Sequence, residues 1–327
     1  MTRTVLITDH VFGGVGIERA ALAEIGCELR EAPATDEDTL ISLADDVEGI
    51  LVCYAAVGAR LIEAAARGGC RVISRYGVGV DNVDVEAATD AGILVTYVPD
   101  YCLDEVADHT LALLLAASRN VVDAAVDVRS GGWSIPKDGV HRLQGQRLAL
   151  IGVGRIGRKV AERALAFGFE VLGYDPYVED LGLPGLRRVE TLEEAVAEAD
   201  VVSLHAPMTS ENRHLIGDGA IGLMRRRPLV INTSRGGLLD FDAAVRGLDA
   251  GRIGALAVDV TELEPLPQDH PARSHPRALI TPHMSFYSAE AEDELQHRAV
   301  DEVVRALTGT PPRCPVNPEV LQEVSSP

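Results

Sequence analysis

The stretch RLALIGVGRIGRKVAERALAF, residues 147–167, decides the fold of this chain. It opens with an apolar run at 148–151, passes through a turn that contains Gly152, Gly154 and Gly157, and continues with apolar residues at helical spacing. A strand, a glycine turn and a helix in this order bring backbone N–H groups to the start of the helix, where they can bind a phosphate. The pattern therefore predicts a dinucleotide-binding α/β domain.

A second strand is predicted at Glu170 to Tyr174 and leads directly into Asp175, 18 residues after Gly157. This is the spacing at which such domains place the carboxylate that binds the ribose 2′-hydroxyl, although Asp175 could merely cap the next segment. A carboxylate there repels a 2′-phosphate, which favours NAD over NADP. The predicted NAD contacts in this part of the chain are Gly152, Gly154, Arg155, Ile156, Gly157 and Asp175.

Composition limits the class of protein. With 327 residues, 46% of them hydrophobic, the chain is long enough for two packed domains. Fifty acidic and thirty basic residues give a net charge of −20, which disfavours nucleic acid and anionic membranes as partners. The five cysteines form no CxxC pair or metal spacing, so we expect reduced thiols and no metal. No long apolar run marks a signal peptide or a membrane span, and we expect a cytoplasmic protein.

Before the glycine turn, the chain alternates short β-branched runs with helical patterns. This alternation predicts a separate, smaller parallel α/β domain over residues 1–100. The next segment, Asp104 to Val128, has no internal Gly or Pro and predicts one long helix. Beyond the glycine turn, four more strands are predicted, which with the first two make a six-stranded doubly wound sheet: Val201–Leu204, Leu229–Asn232, Ala255–Val258 and Ala278–Thr281.

Three side chains of different chemical type, a guanidinium, a carboxylate and an imidazole, follow the last three of these strands. They are Arg235 in INTSRGG, Glu264 in AVDVTELEP and His283 in ITPHMSFYS. Each has a structural alternative, as a helix cap, a surface charge and a core histidine respectively. Ligands of open α/β sheets bind at the carboxyl ends of the strands, so we expect all three in one crevice.

These side chains fit the oxidation of a secondary alcohol. A histidine can take up the hydroxyl proton while hydride leaves for the nicotinamide, and a neighbouring carboxylate stabilises the imidazolium that forms. A guanidinium matches a substrate carboxylate and a developing oxyanion. We therefore predict His283 as the acid/base, Glu264 as its partner and Arg235 as the substrate-binding cation.

The combination of GVGRIG with Asp175, followed by SRGG, DVTELEP and TPH, resembles the D-isomer-specific 2-hydroxyacid dehydrogenase family along essentially the whole chain. The resemblance implies a flavodoxin-like substrate domain, 1–100 completed by 290–327, and a Rossmann NAD domain at 101–289. It also implies a homodimer joined through the NAD domain. The further site residues that it implies are Val78 and Gly79 for the substrate carboxylate; His205, Ala206 and Pro207 near adenine; Thr233 and Asp259 beside nicotinamide; and Asp108 and His109 close to the cofactor.

Several segments resemble the branch related to C-terminal-binding proteins, co-repressors with a dehydrogenase fold. They are YCLDEVADHT, HMSFYS and PPRCPVNPEVL. Phe286 stands where that branch commonly has Trp, and this replacement puts in doubt any substrate preference carried over from that branch. Candidate walls of the substrate pocket, each of which could equally be core, are Tyr54, Tyr76, Tyr101, Met284, Phe286 and Tyr287.

The sequence thus predicts an NAD-dependent oxidoreductase that interconverts a D-2-hydroxy acid and a 2-keto acid. The alternative is an NAD(H)-sensing dimeric scaffold of the C-terminal-binding-protein type, which would not need Arg235, Glu264 and His283 together. A formate dehydrogenase is disfavoured because that branch carries Gln where this chain has Glu264. A phosphoglycerate dehydrogenase stays open, with Arg75 as a candidate phosphate ligand.

Overall fold

The computed structural model describes residues 3–135 and 139–323, which form two compact units. The first unit combines the residues up to Tyr101 with those from Ser288 onward, and the second spans Cys102–Tyr287. Our predicted boundaries were 1–100 with 290–327 for substrate binding and 101–289 for NAD binding. Positions 324–327 lie outside the described residues, and the ligand assigned to each unit stays a prediction at this point.

The first unit is built on a five-stranded parallel sheet with the strand order β2-β1-β3-β4-β5. This is the flavodoxin-like order that the family resemblance implied. The strands are β1 Arg3–Ile7, β2 Cys27–Glu31, β3 Val47–Val52, β4 Val72–Arg75 and β5 Leu94–Tyr97. The helices that connect them are α1 Gly16–Glu24, α2 Glu37–Ser42, α3 Ala59–Gly68 and α4 Val85–Asp90.

The second unit is a seven-stranded parallel sheet with the strand order β12-β11-β10-β9-β6-β7-β8. Its strands are β6 Arg147–Ile151, β7 Glu170–Tyr174, β8 Leu186–Arg188, β9 Val201–Leu204, β10 Leu229–Asn232, β11 Ala255–Val258 and β12 Ala278–Ile280. The predicted count of six strands was wrong. The additional strand, β8, is a three-residue edge strand of sequence LRR, too short and too charged to show alternation.

Helices cover both faces of this second sheet. They are α5 Leu103–Ser118, α6 Val121–Arg129, α7 Arg155–Ala166, α8 Leu192–Ala197, α9 Asp218–Leu223 and α10 Phe241–Asp249. The predicted single helix over 104–128 was also wrong, because Asn120 adopts a left-handed conformation, with φ 52°, and separates α5 from α6. Asparagine is among the few residues that tolerate this conformation, so the break needs no Gly or Pro.

The chain returns to the first sheet through α11 Ala289–Thr308 and α12 Val320–Glu323. Helix α11 begins at the cap Ser288, whose hydroxyl accepts the N–H of Ala291, and ends at Gly309. It lies close against the sheet, since a Cβ added to Gly49 of β3 would stand 3.2 Å from Val303. No helix in the described part of the chain combines the length and the apolar character that a bilayer crossing requires.

Candidate active site

The glycine turn of the second unit has the space that a dinucleotide needs. Gly152 has φ 95°, and a Cβ there would stand 2.6 Å from the backbone N of Ala206, while a Cβ at Gly157 would collide with the carbonyl of Gly152. A Cβ at Gly154, by contrast, would meet nothing within 4 Å, so the start of α7 faces open space. No acidic residue lies in the first turn of α7. These features fit a bound pyrophosphate.

Asp175 lies at the carboxyl end of β7, beside the glycine turn. Its Oδ2 accepts the N–H of Val153 at 2.9 Å, and its Oδ1 accepts the N–H of Tyr177 at 3.0 Å. Each carboxylate oxygen can accept a second hydrogen bond, so both retain capacity for a ribose hydroxyl. The geometry fits the predicted binding of a ribose hydroxyl. Asp175 also caps the segment that follows it, which was the alternative prediction.

The HAP segment follows β9 and packs against the glycine turn. His205 Nε2 lies 2.8 Å from the Ser203 hydroxyl, and its Nδ1 is buried without a partner among the described residues. Burial lowers the pKa of His205 to about 4, so the ring is neutral at pH 7. A buried nitrogen without a partner beside the turn is consistent with a site for a bound ligand.

The predicted acid/base pair is formed within the second unit. His283 Nδ1 lies 2.6 Å from Glu264 Oε2, and Glu264 Oε1 accepts the N–H of Thr261 at 3.0 Å. Both side chains are partly exposed. The carboxylate therefore fixes the orientation of the His283 ring.

Arg235 follows β10, the neighbour of the strand that leads to Glu264. Asn232 donates through its side-chain amide to the carbonyl of Arg235 at 2.8 Å, and the guanidinium Nη1 donates to the carbonyl of Ser234 at 2.9 Å. A Cβ at Gly236 would collide with the backbone of Thr261, so the SRGG turn packs directly on the loop that carries Glu264. The structure thus brings these two loops together.

Asp259 holds the segment that carries His283. The Thr281 hydroxyl donates to Asp259 Oδ1 at 2.5 Å, and the N–H groups of Met284 and Ser285 donate to its two oxygens at 3.0 and 2.8 Å. The carbonyl of Asp259 also accepts the N–H of His283 at 2.8 Å. Burial raises the pKa of this carboxyl, but the hydrogen bonds outweigh burial and the pKa lies below its ordinary value.

Sequence reasoning missed the connection from this segment to α5. His109 Nε2 lies 3.1 Å from the Thr281 hydroxyl and 3.6 Å from Asp259 Oδ1, and Thr110 shares a 2.8 Å hydrogen bond with Thr233. Because the Thr281 hydroxyl gives its one proton to Asp259, it must accept from His109 Nε2–H. His109 and Thr110, the last two residues of VADHT, could be predicted to support this segment only if α5 were already known to lie beside β11.

In the first unit, the predicted substrate loop follows β4. Val78 and Gly79 are partly exposed, as a binding loop requires. Tyr76, predicted as a pocket wall or a core residue, is buried, and its hydroxyl donates to Glu18 at 2.9 Å. Arg75 is only 8% exposed, and a Cβ at Gly77 would collide with its guanidinium.

The other predicted pocket residues differ in exposure. Tyr54, Met284 and Tyr287 are exposed, Phe286 is half-buried and Tyr101 is buried. Asp108, predicted to lie near the cofactor, is exposed on α5 and pairs with Arg163 at 2.6 Å. The roles of these residues toward a ligand stay predictions.

Residues 111–285 match the family model for the NAD binding domain of D-isomer specific 2-hydroxyacid dehydrogenases. The chain is 37% identical over 306 residues to a D-3-phosphoglycerate dehydrogenase of Methanocaldococcus jannaschii, covering 92% of this chain but 58% of that protein. It is 32% identical over 302 residues to a glyoxylate reductase of Thermofilum pendens, covering 90% of this chain and 88% of that protein.

Solved structures agree with these sequence matches. A D-lactate dehydrogenase from Aquifex aeolicus, complexed with NAD and lactic acid, superposes with a TM-score of 0.85 at 28% identity, covering 99% of this chain and 100% of that one. The TT0316 protein from Thermus thermophilus superposes with a TM-score of 0.86 at 37% identity, covering 96% of this chain and 99% of that one. The likeness therefore extends over both units.

Proposed function

This chain belongs to the D-isomer specific 2-hydroxyacid dehydrogenase family, as its motifs predicted, and on that premise we propose that it interconverts a D-2-hydroxy acid and a 2-keto acid with NAD. One observation carries the proposal: His283 and Glu264 form a 2.6 Å pair at the carboxyl edge of the sheet that also holds the glycine turn. The resemblance to the C-terminal-binding-protein branch stays a prediction.

His283 handles the proton in the proposed reaction. Its Nδ1 is committed to Glu264, so Nε2 removes the hydroxyl proton in oxidation and returns it in reduction. Bound NAD supplies the chemistry of accepting or releasing the hydride. Glu264 stabilises the imidazolium and is itself oriented by the N–H of Thr261, which keeps the ring in one position through both directions.

Two groups are proposed to receive the substrate carboxylate and carbonyl. Arg235 offers a guanidinium fork, which suits both a carboxylate and a developing oxyanion. In the first unit, the backbone N–H groups of Val78 and Gly79 are the proposed carboxylate ligands, and the exposed ring of Tyr54 is the proposed contact for the variable group. The roles of Val78 and Gly79 come from the family resemblance, and Tyr54 is one of the candidate pocket walls; the exposure of all three residues fits these roles.

A second substrate class is favoured by Arg75. Among the described residues no carboxylate pairs with this buried guanidinium, and its Nε is buried without a partner. A buried charge without compensation is costly, which points to a ligand anion such as the phosphate of a phosphorylated acid. Arg75→Met should then raise the KM for a phosphorylated 2-keto acid about a hundredfold, whereas the exposed Arg71→Met control should leave it unchanged.

We also propose a homodimer formed through the NAD domain. Helix α6 buries none of its residues and exposes Val121, Val122, Val126 and Val128, and Trp133 and Ile135 after it are almost fully exposed. An apolar segment of this size on one surface is typical of an interface. Trp133→Ser should therefore shift the protein from dimer to monomer in analytical ultracentrifugation. We place the activity in the cytoplasm, where the cysteine thiols would stay reduced.

The test of the proposed reaction is NADH oxidation, followed by absorbance, against a panel of 2-keto acids. The panel runs from glyoxylate and hydroxypyruvate to branched, aromatic and phosphorylated acids, each with NADH or NADPH. We expect turnover of at least one member with NADH preferred, because Asp175 opposes a 2′-phosphate. Tight NADH binding with no turnover of any acid would contradict the proposed enzyme activity and support the alternative role as an NAD(H)-sensing scaffold.

A further inference from the structure

The tripeptide Cys53–Tyr54–Ala55, directly after β3, directs three successive backbone N–H groups at one carboxylate. Asp9 Oδ1 accepts the N–H of Cys53 at 3.1 Å, and its Oδ2 accepts those of Tyr54 at 2.6 Å and Ala55 at 3.2 Å. The Thr8 hydroxyl adds a fourth donor at 2.8 Å. Three of these four donors come from the tripeptide, and together the four use the acceptor capacity of the Asp9 carboxylate.

Asn82 holds two carbonyl groups of the same tripeptide. Its Nδ2 donates to the carbonyls of Cys53 at 3.3 Å and Ala55 at 2.9 Å. Asn82 lies in the segment SRYGVGVDNVD, residues 74–84, which also contains the predicted carboxylate ligands Val78 and Gly79. Its own backbone carbonyl accepts the N–H of Val57 at 2.8 Å. Two side chains from two other loops therefore satisfy five backbone groups of three residues.

The side chain that this arrangement presents is the ring of Tyr54. Cys53 is 4% exposed and Ala55 is 6% exposed, but Tyr54 between them is 40% exposed. Because Cys53 and Ala55 are buried, their backbone groups need hydrogen-bond partners, and the partners that Asp9 and Asn82 supply also fix the backbone on both sides of the Tyr54 ring. Because β1, β3 and β4 are neighbours in the sheet, Asp9, the tripeptide and Asn82 share the carboxyl edge, where ligands bind.

We propose that Asp9 and Asn82 are positioning residues that fix the Tyr54 ring, and thereby set which variable groups of a 2-keto acid are accepted. The kinetic consequence of this inference rests on the proposed function. The hydrogen bonds of Asp9 and Asn82 to residues 53–55, which we call the clamp, do not depend on that function. Loss of either clamp residue lets the ring move, so the enzyme discriminates less between acids of different size.

The first measurement is amide hydrogen exchange without substrate. Asp9→Asn keeps the size of the side chain but has one acceptor oxygen and an NH₂ group that opposes the loop N–H groups. We expect exchange at residues 53–55 to accelerate about tenfold, the effect of losing roughly one hydrogen bond. Asp36→Asn is the matched control, because Asp36 accepts one N–H at the start of α2 in the same domain and Asn caps equally well.

The second measurement is steady-state kinetics on the same panel of 2-keto acids. Asp9→Asn and Asn82→Ala should each raise the KM of the preferred acid about tenfold and flatten the ratio of kcat/KM between small and bulky acids, with kcat and the NADH Kd within about twofold of wild type. In the double variant, the loss of free energy calculated from kcat/KM should be smaller than the sum of the losses in the two single variants, since both residues hold one loop.

The possible results are distinct. Unchanged exchange at 53–55 in Asp9→Asn would overturn the clamp, and faster exchange with an unaltered preference ratio would overturn the positioning role. Parallel losses of kcat and NADH binding would indicate a general structural role and also overturn it. If wild type turned over no 2-keto acid, the proposed function would fail, whereas the exchange experiment would still decide the clamp.

Discussion

Each of the two sheets places a carboxylate just beyond the end of a strand and uses it to hold backbone N–H groups. Asp9 follows β1 and holds residues 53–55, whereas Asp259 follows β11 and holds Met284 and Ser285. The environments differ, because Asp9 is partly exposed and Asp259 is buried with its pKa below the ordinary value. The same device therefore operates at the surface in one domain and in the interior of the other.

The difference follows from what each loop presents. The loop held by Asp259 carries His283 with φ 52°, a left-handed conformation that costs a non-glycine residue about 1 kcal/mol. A buried ionised carboxylate with several donors offsets that strain. The loop held by Asp9 presents Tyr54, and none of its three residues has a positive φ. The proposed reacting group therefore lies in the loop with the stronger anchor, and the proposed recognition group lies in the loop with the weaker one.

The largest expected effect lies in the loop held by Asp259. His283→Ala should lower kcat by about two to four orders of magnitude, because it removes the proposed general acid/base. The NADH Kd, measured by fluorescence titration, should stay within about threefold of wild type. Near-normal turnover in this variant would remove His283 from the mechanism. The difference between the loops held by Asp259 and Asp9 could then not be explained by a reacting group in the first of them.

The next largest effect is on the free energy of unfolding, which urea unfolding measures for Asp259→Asn and Asp9→Asn. Asp259→Asn should lower the free energy of unfolding by about 2–3 kcal/mol, since the hydrogen bonds lost are to a buried charge, and Asp9→Asn by about 1 kcal/mol or less. Equal losses would show that burial makes no difference between the two anchors.

The pH dependence of the Asp259 effect has a definite sign. The folded pKa of Asp259 lies below its unfolded value of about 3.9, so its stabilisation is fully present above that pH and is lost as pH falls through the folded pKa. The stability difference between wild type and Asp259→Asn should therefore be constant from about pH 6 to 8 and shrink below about pH 4. A difference that grew toward acid pH would contradict this assignment.

The smallest effect concerns His109, which supports Asp259 through Thr281. His109→Ala should lower kcat about fivefold, because the Thr281 hydroxyl loses its donor. His109→Gln can place an amide N–H near the position of Nε2 and should restore most of the loss. His297→Ala, a surface histidine on α11, is the control. Equal effects of the Ala and Gln variants would show that the hydrogen bond to Thr281 has no role.

Much of the fold was predictable because its signals are local. The apolar runs and glycine turn around Gly152 predicted the central strands of the second sheet, and the motifs after β10, β11 and β12 predicted Arg235, Glu264 and His283. The edge strand β8 has no such pattern. The break at Asn120 depends on one residue whose left-handed conformation is tolerated but not required.

The supports of the site were not predictable, because they join residues that are distant in sequence. His109 and Thr281 are 172 positions apart, and Asp9 is 44 positions from Cys53. Neither contact follows a spacing rule, since each depends on which strands are neighbours in the sheet. Tyr76 was predicted as either a pocket wall or a core residue, and only the structure shows that its ring is buried with the hydroxyl bonded to Glu18.

The return of α11 to the first sheet has a consequence for biosynthesis. Leu295, Ala299 and Val303 are buried residues of that helix, and they are translated only after the whole second domain. While the chain grows, the second domain has all its strands and can fold, whereas the first sheet lacks one of its covering helices. The domain that is synthesised first is therefore completed last, and until then its apolar face is open to chaperones and proteases.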